Sequence, residues 1–286
     1  MRNKKKDIVL GTLIWLSAAV TVTVLIGIIG YILYNGLPHM TWTFLSSIYS
    51  AAKTGSKGIL PMIINTAYVI LVSLVLATPM GIGSAIYMTQ YAKQGRLVRI
   101  IRFTTEVLSG IPSILFGLFG YAVFVVLFQL KLSIISGSLT MMICILPTII
   151  RTTEEALLAV PVAYKEGAMA LGAGKLRVTI GMILPCAMSG VLTGIILAMG
   201  RIVGETAALL FTVGVSGNAL PKGSNAFDAI FGHVFEQGNT LALHLYNSAM
   251  NGKDPVAVPF ATASALLIMI FILNRLAGLM SRRFKK

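Results

Sequence analysis

The stretch from Arg151 to Pro185 reads RTTEEALLAVPVAYKEGAMALGAGKLRVTIGMILP and lies between strongly apolar segments. Ala, Leu, Glu and Lys dominate its first half, which favours helix, and a proline divides that half into two short runs. From Val162 to Leu171, apolar and charged residues alternate in helical register. Gly172 and Gly174 allow a sharp turn before a second, basic run, Lys175 to Ile183. The stretch predicts a helix–turn–helix that is either a docking element or an ordinary solvated connection.

The composition is that of a membrane protein. Of 286 residues, 56% are hydrophobic and 11% are charged, and the mean hydropathy is +0.87. Several runs approach or exceed the roughly 18 apolar residues that a spanning helix needs. Cys144 and Cys186 lie in or beside such runs without metal or redox spacing, and the three histidines are scattered. The sequence therefore predicts an all-α polytopic membrane protein without a metal site or a catalytic cluster.

The basic residues form clusters that set the expected topology. The net charge of +14 comes largely from both termini, the connection from Lys93 to Arg102, and the Arg151–Pro185 stretch. These clusters alternate with poorly charged loops, which is the pattern of the positive-inside rule. In a soluble protein such a charge would suggest nucleic acid. Here it predicts cytoplasmic loops and no nucleic-acid partner.

Six spanning helices are predicted, with both termini in the cytoplasm. Residues 1–7 and 281–286 form basic tails, residues 8–57 the first helix and an external loop, and residues 58–280 the transmembrane core. The fourth span has to continue past Arg151, because its purely apolar part is too short to cross. The spans are Ile8 to Tyr34, Leu60 to Tyr87, a third helix kinked at Pro112 and ending near Leu130, a fourth from about Ser138, Ile183 to Phe211, and Pro259 to Leu279; Leu241 to Met250 is a short interfacial helix.

Two ionisable residues, Arg201 and Glu205, lie well inside the predicted fifth span. Their i, i+4 spacing places them on one helix face, where they can pair. A charge at the bilayer centre costs about 2.5–3.5 kcal/mol on insertion scales, so both should face protein or water. Two interpretations stay open. The pair is either a structural lock, or part of an anion path in which Arg201 binds the anion and Glu205 weakens that binding.

Arg151 is a second candidate for the substrate path, because the short apolar part of the fourth span draws it toward the membrane. Glu155 stands four residues later, so an interfacial ion pair is an equal alternative. Glu106 is expected to be a charge at the start of the third spanning helix.

The loop resembles the EAA loop of ABC-importer permeases. Glu166, Gly167 and Ala168, then Gly172 four residues after Ala168, and the distal Leu184–Pro185 follow its spacing. In that family the loop forms a coupling helix that binds in a groove of the ATPase subunit. The resemblance therefore implies that Glu166, Gly167, Ala168 and Gly172 are coupling residues. Gly167 stands where alanine is usual, which predicts a somewhat weaker helix.

Most of the chain from about Gly58 onward resembles the PstA-type permeases of high-affinity phosphate importers. The most specific segments, besides the loop, are GIPSILFGLFG (Gly110–Gly120), RTTEEALLAVP (Arg151–Pro161) and GRIVGETAALLFT (Gly200–Thr212). Gly174 and Leu176 depart from the family, where Thr and Trp are usual. The resemblance implies a type I ABC importer permease fold and the import of inorganic phosphate across the bacterial cytoplasmic (inner) membrane.

The resemblance also implies partners: a second homologous permease in a heterodimer, two ATPase subunits, an external phosphate-binding protein and the lipid bilayer. The chain has no Gly-x-x-x-x-Gly-Lys-Ser/Thr loop, so it needs no cofactor of its own and the partner ATPase would bind ATP and Mg. The alternatives are a permease for another oxyanion, such as sulfate or molybdate, and a secondary anion transporter. The EAA-like loop distinguishes the last, which has no ATPase to seat.

Overall fold

The computed structural model of the protein describes residues 4–50, 57–93, 95–215, 220–221, 225, 231–250 and 254–283. Within these ranges the chain is helical and forms no β-strand. π-helical turns extend α3 to Tyr91 and α5 to Leu127, and another precedes α9 from Thr179. The helices are α1 (Lys4–Gly36), α2 (Trp42–Ser46), α3 (Leu60–Ile86), α4 (Arg96–Gly110), α5 (Ser113–Gly120), α6 (Ile134–Leu158), α7 (Val162–Ala170), α8 (Lys175–Val178), α9 (Leu184–Gly204), α10 (Ala207–Thr212), α11 (Leu241–Met250) and α12 (Ala257–Arg283).

Five helical stretches among the described residues are long and apolar enough to cross a membrane. They are α1, α3 with its π turn, α6, α9 with the preceding α8 and π turn, and α12. α4 and α5 together supply a sixth, but they meet at an angle of 103°. The bend falls at Ile111–Pro112, because proline lacks an N–H and forces the residue before it into an extended conformation. The described residues therefore match the six predicted spans by length and composition if this sharply bent pair counts as one span.

α3 and α6 form the centre of the bundle and run side by side in the same direction. The hydroxyl of Ser73, in the middle of α3, donates to the Ser138 carbonyl near the start of α6 (3.0 Å), and further along Gly81 packs against Ile149. A Cβ at Gly81 would lie 2.6 Å from Ile149 Cγ2, so this approach requires glycine. α9 runs along α6 in the opposite direction, again with glycines at the contact. We call the end of the bundle that carries α7 and α8 the loop end, and the opposite one the far end.

α1 lies at the periphery of the bundle and contacts α12. Tyr31 meets Phe260 edge-on with ring centroids 5.7 Å apart, and Gly36 lies against Phe260 and Ser264. The apolar side chains of its other faces are exposed, Trp15 by 79%. A long helix that is apolar all round and touches the bundle on one side suits contact with lipid acyl chains.

Most predicted helix boundaries are confirmed. α6 runs past Arg151 to Leu158, the loop contains two short helices, and Leu241–Met250 is the helix α11. Gly172 turns the chain between α7 and α8 with φ +83°. The prediction of a fifth span continuous through Phe211 is wrong, because α9 ends at Gly204 and α10 begins anew at Ala207.

A polar cluster closes the far end of the bundle. Lys57 Nζ lies 3.0 Å from Asp254 Oδ1, and the Tyr49 hydroxyl donates to the same carboxylate (3.0 Å to Oδ2). His244 of α11 is buried and meets Tyr49 edge-on, with ring centroids 4.9 Å apart. Burial, reinforced by Asp254, raises the pKa of Tyr49 to about 12. Burial lowers the pKa of His244 to about 4, and Asp254 opposes that shift while Lys57 adds to it.

This pKa of His244 predicts that mild acid destabilises the fold. The pKa of His244 is about 6.5 in the unfolded chain and about 4 in the folded one. At a pH between these two values, His244 is protonated in the unfolded chain and neutral in the folded chain. Stability from this group is therefore complete above pH 6.5 and is lost as the pH falls to 4, by about 3 kcal/mol. Thermal unfolding in detergent should show this slope in the wild type and lose it in His244→Gln. His39→Gln, at an exposed site, is the control. Equal slopes in all three proteins would contradict the prediction.

Candidate transport path and coupling loop

Glu205 lies in the break between α9, which ends at Gly204, and α10, which begins at Ala207. Glu205 lies outside the helix in an extended conformation (φ −76°, ψ 124°), and its Oε1 accepts a hydrogen bond from the Ala208 N–H of α10 (3.2 Å). It satisfies one of the N–H groups that a helix start leaves unpaired. The predicted pairing with Arg201 on one helix face is therefore wrong. Among the described residues, no carboxylate lies within 4.0 Å of the Arg201 guanidinium.

The two interrupted spans meet each other. Gly117 of α5, which follows the 103° bend, packs directly on the first turn of α10. A Cβ at Gly117 would lie 2.8 Å from Ala208 Cα and 3.1 Å from the Ala207 carbonyl oxygen. Non-helical backbone at membrane depth is tolerated only where protein buries it or where it lines a water-filled cavity. Here the two interruptions bury each other, and the half-buried Arg201 just before the second one makes this region the candidate path.

Arg201 reaches from α9 to α6. It is half-buried, and its guanidinium lies near the Cys144 thiol of α6. Arg151 follows Cys144 on α6 by seven residues, which places it two turns away on the same helix face, about 10 Å along the axis. The structure thus arranges the two arginines along one face of α6, with Arg201 opposite the middle of α6 and Arg151 nearer the loop end.

Arg151 borders a charged groove between α4 and α6. The groove has a volume of ≈ 320 Å³, and its ionisable lining consists of Arg102, Glu106, Arg151, Glu154 and Glu155. Arg151 Nε lies 3.2 Å from Glu155 Oε1, which confirms the ion pair that the sequence leaves as an alternative. Arg102 Nη2 lies 2.5 Å from Glu154 Oε1, a pair that sequence reasoning missed because the residues are 52 positions apart. Glu106 lies late in α4 and faces this groove, so the prediction of a helix-start charge is wrong.

The coupling loop, residues 159–183, protrudes from the loop end. Of the four predicted coupling residues, Glu166, Gly167 and Gly172 are exposed, whereas Ala168 packs against the apolar cluster formed by the ends of α3, α6 and α9. Leu171 is 91% exposed. Further large apolar side chains on this surface are Val162, Tyr164, Met169 and Leu176. An exposed apolar patch of this kind is typical of a surface that contacts another protein or the membrane.

Known proteins resemble the chain in sequence. Residues 77–286 match the family described as binding-protein-dependent transport system inner membrane component. The probable ABC transporter permease protein YqgI of Bacillus subtilis (strain 168) is 33% identical over 275 residues, which cover 96% of this chain and 93% of the relative. The phosphate transport system permease protein PstA of Yersinia pestis is 36% identical over 178 residues, 62% of this chain and 60% of the relative.

Solved structures resemble it in fold. A permease chain of a bacterial ABC transporter that imports the acidic polysaccharide alginate has a TM-score of 0.64 at 14% identity, covering 100% of both chains. The MetNI methionine ABC transporter in an inward-facing conformation gives 0.62 at 16% identity, covering 80% of this chain and 98% of the other. The fold is that of the type I ABC importer permeases. With the family match over most of its length, the chain belongs to the binding-protein-dependent transport system inner membrane components: it is an ABC importer permease.

Proposed function

We propose that the chain is the permease subunit of an ATP-driven importer that moves inorganic phosphate across the bacterial cytoplasmic membrane. The observation that carries the proposal is Arg201, a half-buried guanidinium beside two interrupted helices with no described carboxylate in pairing distance. Its planar fork suits two oxygens of one phosphate. Relatives named as phosphate permeases favour phosphate over sulfate or molybdate. The family favours an ATP-driven importer over a secondary transporter.

The two arginines would act in sequence. Phosphate carries one or two negative charges and loses part of its hydration in the path, which is costly unless a fixed cation replaces the water. Arg201, opposite the middle of α6, would supply that cation. Arg151 stands two turns further toward the loop end on the same face of α6, already paired with Glu155 at 3.2 Å. Because its charge is shared, Arg151 would hold phosphate more weakly and let it leave.

The partners follow from what the chain presents and what it lacks. The sequence contains no phosphate-cradling loop for nucleotide, so two ATPase subunits would bind ATP and Mg and hydrolyse ATP in trans. The exposed coupling loop, with Glu166, Gly167, Ala168 and Gly172, would be the surface on which an ATPase docks. A second permease would complete the path as a heterodimer. An external phosphate-binding protein would deliver the substrate; a bacterial alginate ABC transporter was solved in complex with its own, alginate pentasaccharide-bound periplasmic protein.

We place both termini and the loop end in the cytoplasm, because these segments carry the clusters of Lys and Arg, which are enriched in cytoplasmic loops. Reporter fusions at Lys93 and Lys175 should report a cytoplasmic location, and a fusion at Ser136 an external one. One reversed position would contradict this orientation.

Transport assays with the complete complex test the substrate. The chain, its sister permease, the ATPase and the binding protein are reconstituted into vesicles, and uptake of radiolabelled phosphate, sulfate and molybdate is measured with and without ATP. ATP-dependent, saturable phosphate uptake that a tenfold excess of sulfate leaves unchanged is the expected result. Preferential uptake of sulfate or molybdate would assign the other oxyanion. Uptake of phosphate without ATP or ATPase would overturn the proposal of an ATP-driven importer.

A further inference from the structure

At the loop end, α3 is tied to the coupling loop by two polar contacts. Lys165 Nζ of α7 donates to Gln90 Oε1 (3.0 Å), and Lys175 Nζ of α8 lies 5.0 Å from the centroid of the Tyr91 ring, a cation–π contact. Gln90 and Tyr91 belong to the π-helical turn that ends α3. α3 is not adjacent to the loop in sequence, so a movement of the loop can reach it only through side-chain contacts: these two polar ones and the apolar cluster that Ala168 joins.

At the far end, α3 is tied to residues 231–240, which we call the far-end segment. His233 Nε2 lies 2.8 Å from Asn65 Oδ1, and the Asn65 amide donates to the Asn239 carbonyl (3.4 Å). The Leu241 N–H, where the segment enters α11, donates to Thr66 Oγ1 (3.0 Å). All of these side chains are buried, so the contacts are shielded from competing water.

The far-end segment also presents a charge to the surface. Glu236 Oε2 lies 3.2 Å from His233 Nδ1, and the Glu236 side chain is 49% exposed. His233 therefore stands between a surface carboxylate on one ring nitrogen and Asn65 of α3 on the other. A partner that contacts Glu236 would therefore act on α3 through one buried imidazole.

Between its two ends α3 is suited to carry a displacement. With its π turn it extends over Leu60–Tyr91, 32 residues, or about 48 Å, enough to cross a bilayer. It is held along α6 by close packing, as at Gly81 and Ile149. Packed interiors transmit displacements because they have few voids into which a side chain can yield.

We propose that α3 is a relay that couples the far-end segment to the coupling loop, with the chain Glu236–His233–Asn65 as its far contact and Gln90–Lys165 with Tyr91–Lys175 as its loop contact. The relay rests on the proposed function in one respect: the two ends would face the binding protein and the ATPase. Coupling between two such sites is reciprocal, so a partner bound at either end biases the other. Gln90, Tyr91, Asn65 and His233 are positioning residues, since none of them is placed on the substrate path.

One experiment measures how strongly the binding protein stimulates ATP hydrolysis in the reconstituted complex. His233→Asn keeps a polar group near Nδ1 and loses the contact with Asn65, whereas His233→Gln keeps the group near Nε2. We expect stimulation to fall about fivefold in His233→Asn and in Gln90→Leu, the lower range of measured couplings. His233→Gln loses the contact with Glu236 instead, so stimulation should fall in that variant as well. Ser84→Ala, which removes a hydroxyl of α3 that bonds within its own helix, should stay near the wild type.

The double variant His233→Asn/Gln90→Leu decides whether the two ends act through one element. If both substitutions interrupt the same relay, the second adds no further loss. The stimulation of ATP hydrolysis in the double variant should then equal that of the single variant with the lower stimulation. Unchanged stimulation in both single variants, or a double variant with the product of the two losses, would overturn the relay.

Hydrogen exchange on the full chain in nanodiscs gives a test that needs neither phosphate nor ATP. Gln90→Leu at the loop end should speed exchange about fivefold in peptides spanning residues 233–241 at the far end, if the coupling has the size given above. Ser84→Ala should not. A complex that fails to take up phosphate but shows this exchange response refutes the proposed function and supports the relay. A complex that transports phosphate with unchanged exchange in Gln90→Leu overturns the relay alone.

Discussion

Arg201→Ala should abolish phosphate uptake, and Arg201→Lys should keep part of it. A guanidinium can make two charge-assisted hydrogen bonds to one phosphate, each contributing about 1.5–3 kcal/mol. Losing both lowers uptake by about 10²-fold or more, at one decade for every 1.4 kcal/mol. Lysine keeps the charge and one contact, so a loss of about tenfold to hundredfold is expected. The measurement is phosphate uptake in vesicles that contain equal amounts of assembled complex.

Glu205 supplies the matched comparison, because it caps α10 instead of pairing with Arg201. In the wild type the Ala208 N–H donates to Glu205 Oε1 (3.2 Å). Glu205→Gln keeps an oxygen that can accept this hydrogen bond and removes the charge. Glu205→Ala removes both, at a cost of about 1 kcal/mol typical of a lost helix cap. If capping is the role of Glu205, the Gln variant assembles and transports nearly as the wild type, whereas Ala lowers assembly. Equal defects in both would show that the charge itself matters.

The outcome that contradicts a path role is full uptake by Arg201→Ala at equal assembly. Arg201 would then be a structural cation that serves the contact between α9 and α6 at Cys144. A loss of assembled complex that accounts for all of the lost uptake would support that structural role as well.

Features set by a few neighbouring residues could be predicted from the sequence. Hydropathy alone locates the spans, since a run of about 20 apolar residues is typical of a transmembrane helix. Gly172 with its positive φ, the short helix Leu241–Met250 and the extension of α6 past Arg151 each follow from local chain chemistry or length. The Arg151–Glu155 pair is four residues apart on one helix and is predictable for the same reason.

Features set by tertiary contact could not be predicted in the same way. The segment from Gly200 to Thr212 is consistent with one continuous helix, yet it breaks at Glu205 because α10 packs on Gly117 and Glu205 finds the Ala208 N–H. Gly204 followed by a polar pair was the available signal, since glycine ends helices and polar side chains start them. The Arg102–Glu154 pair had no such signal, because it exists only where α4, which precedes the 103° bend, lies against α6.

Gly172→Val should separate ATPase binding from folding of the membrane core. Gly172 has φ +83°, a conformation that costs an L residue about 1–2 kcal/mol and a β-branched one more. A Cβ there meets nothing within 4 Å, so the strain arises in the backbone and the bundle feels no clash. The chain relieves it by leaving the positive-φ turn, which moves α7 relative to α8 and displaces the exposed Leu171 beside it. The expected result is loss of most ATPase from the purified complex and of ATP-dependent uptake, with the thermal unfolding of the membrane core unchanged.

Gly174→Ala is the control that isolates the turn. Gly174 is also exposed, its Cβ position is also open, and it lies two residues further along the same loop, but its backbone is ordinary (φ −67°, ψ 151°). Alanine should therefore be accepted there, with ATPase co-purification as in the wild type. Normal co-purification and normal uptake in Gly172→Val would remove Gly172 from coupling. An equal loss in Gly174→Ala would show that the loop tolerates no side chain on that surface, so that steric fit to the ATPase, and not the turn, governs docking.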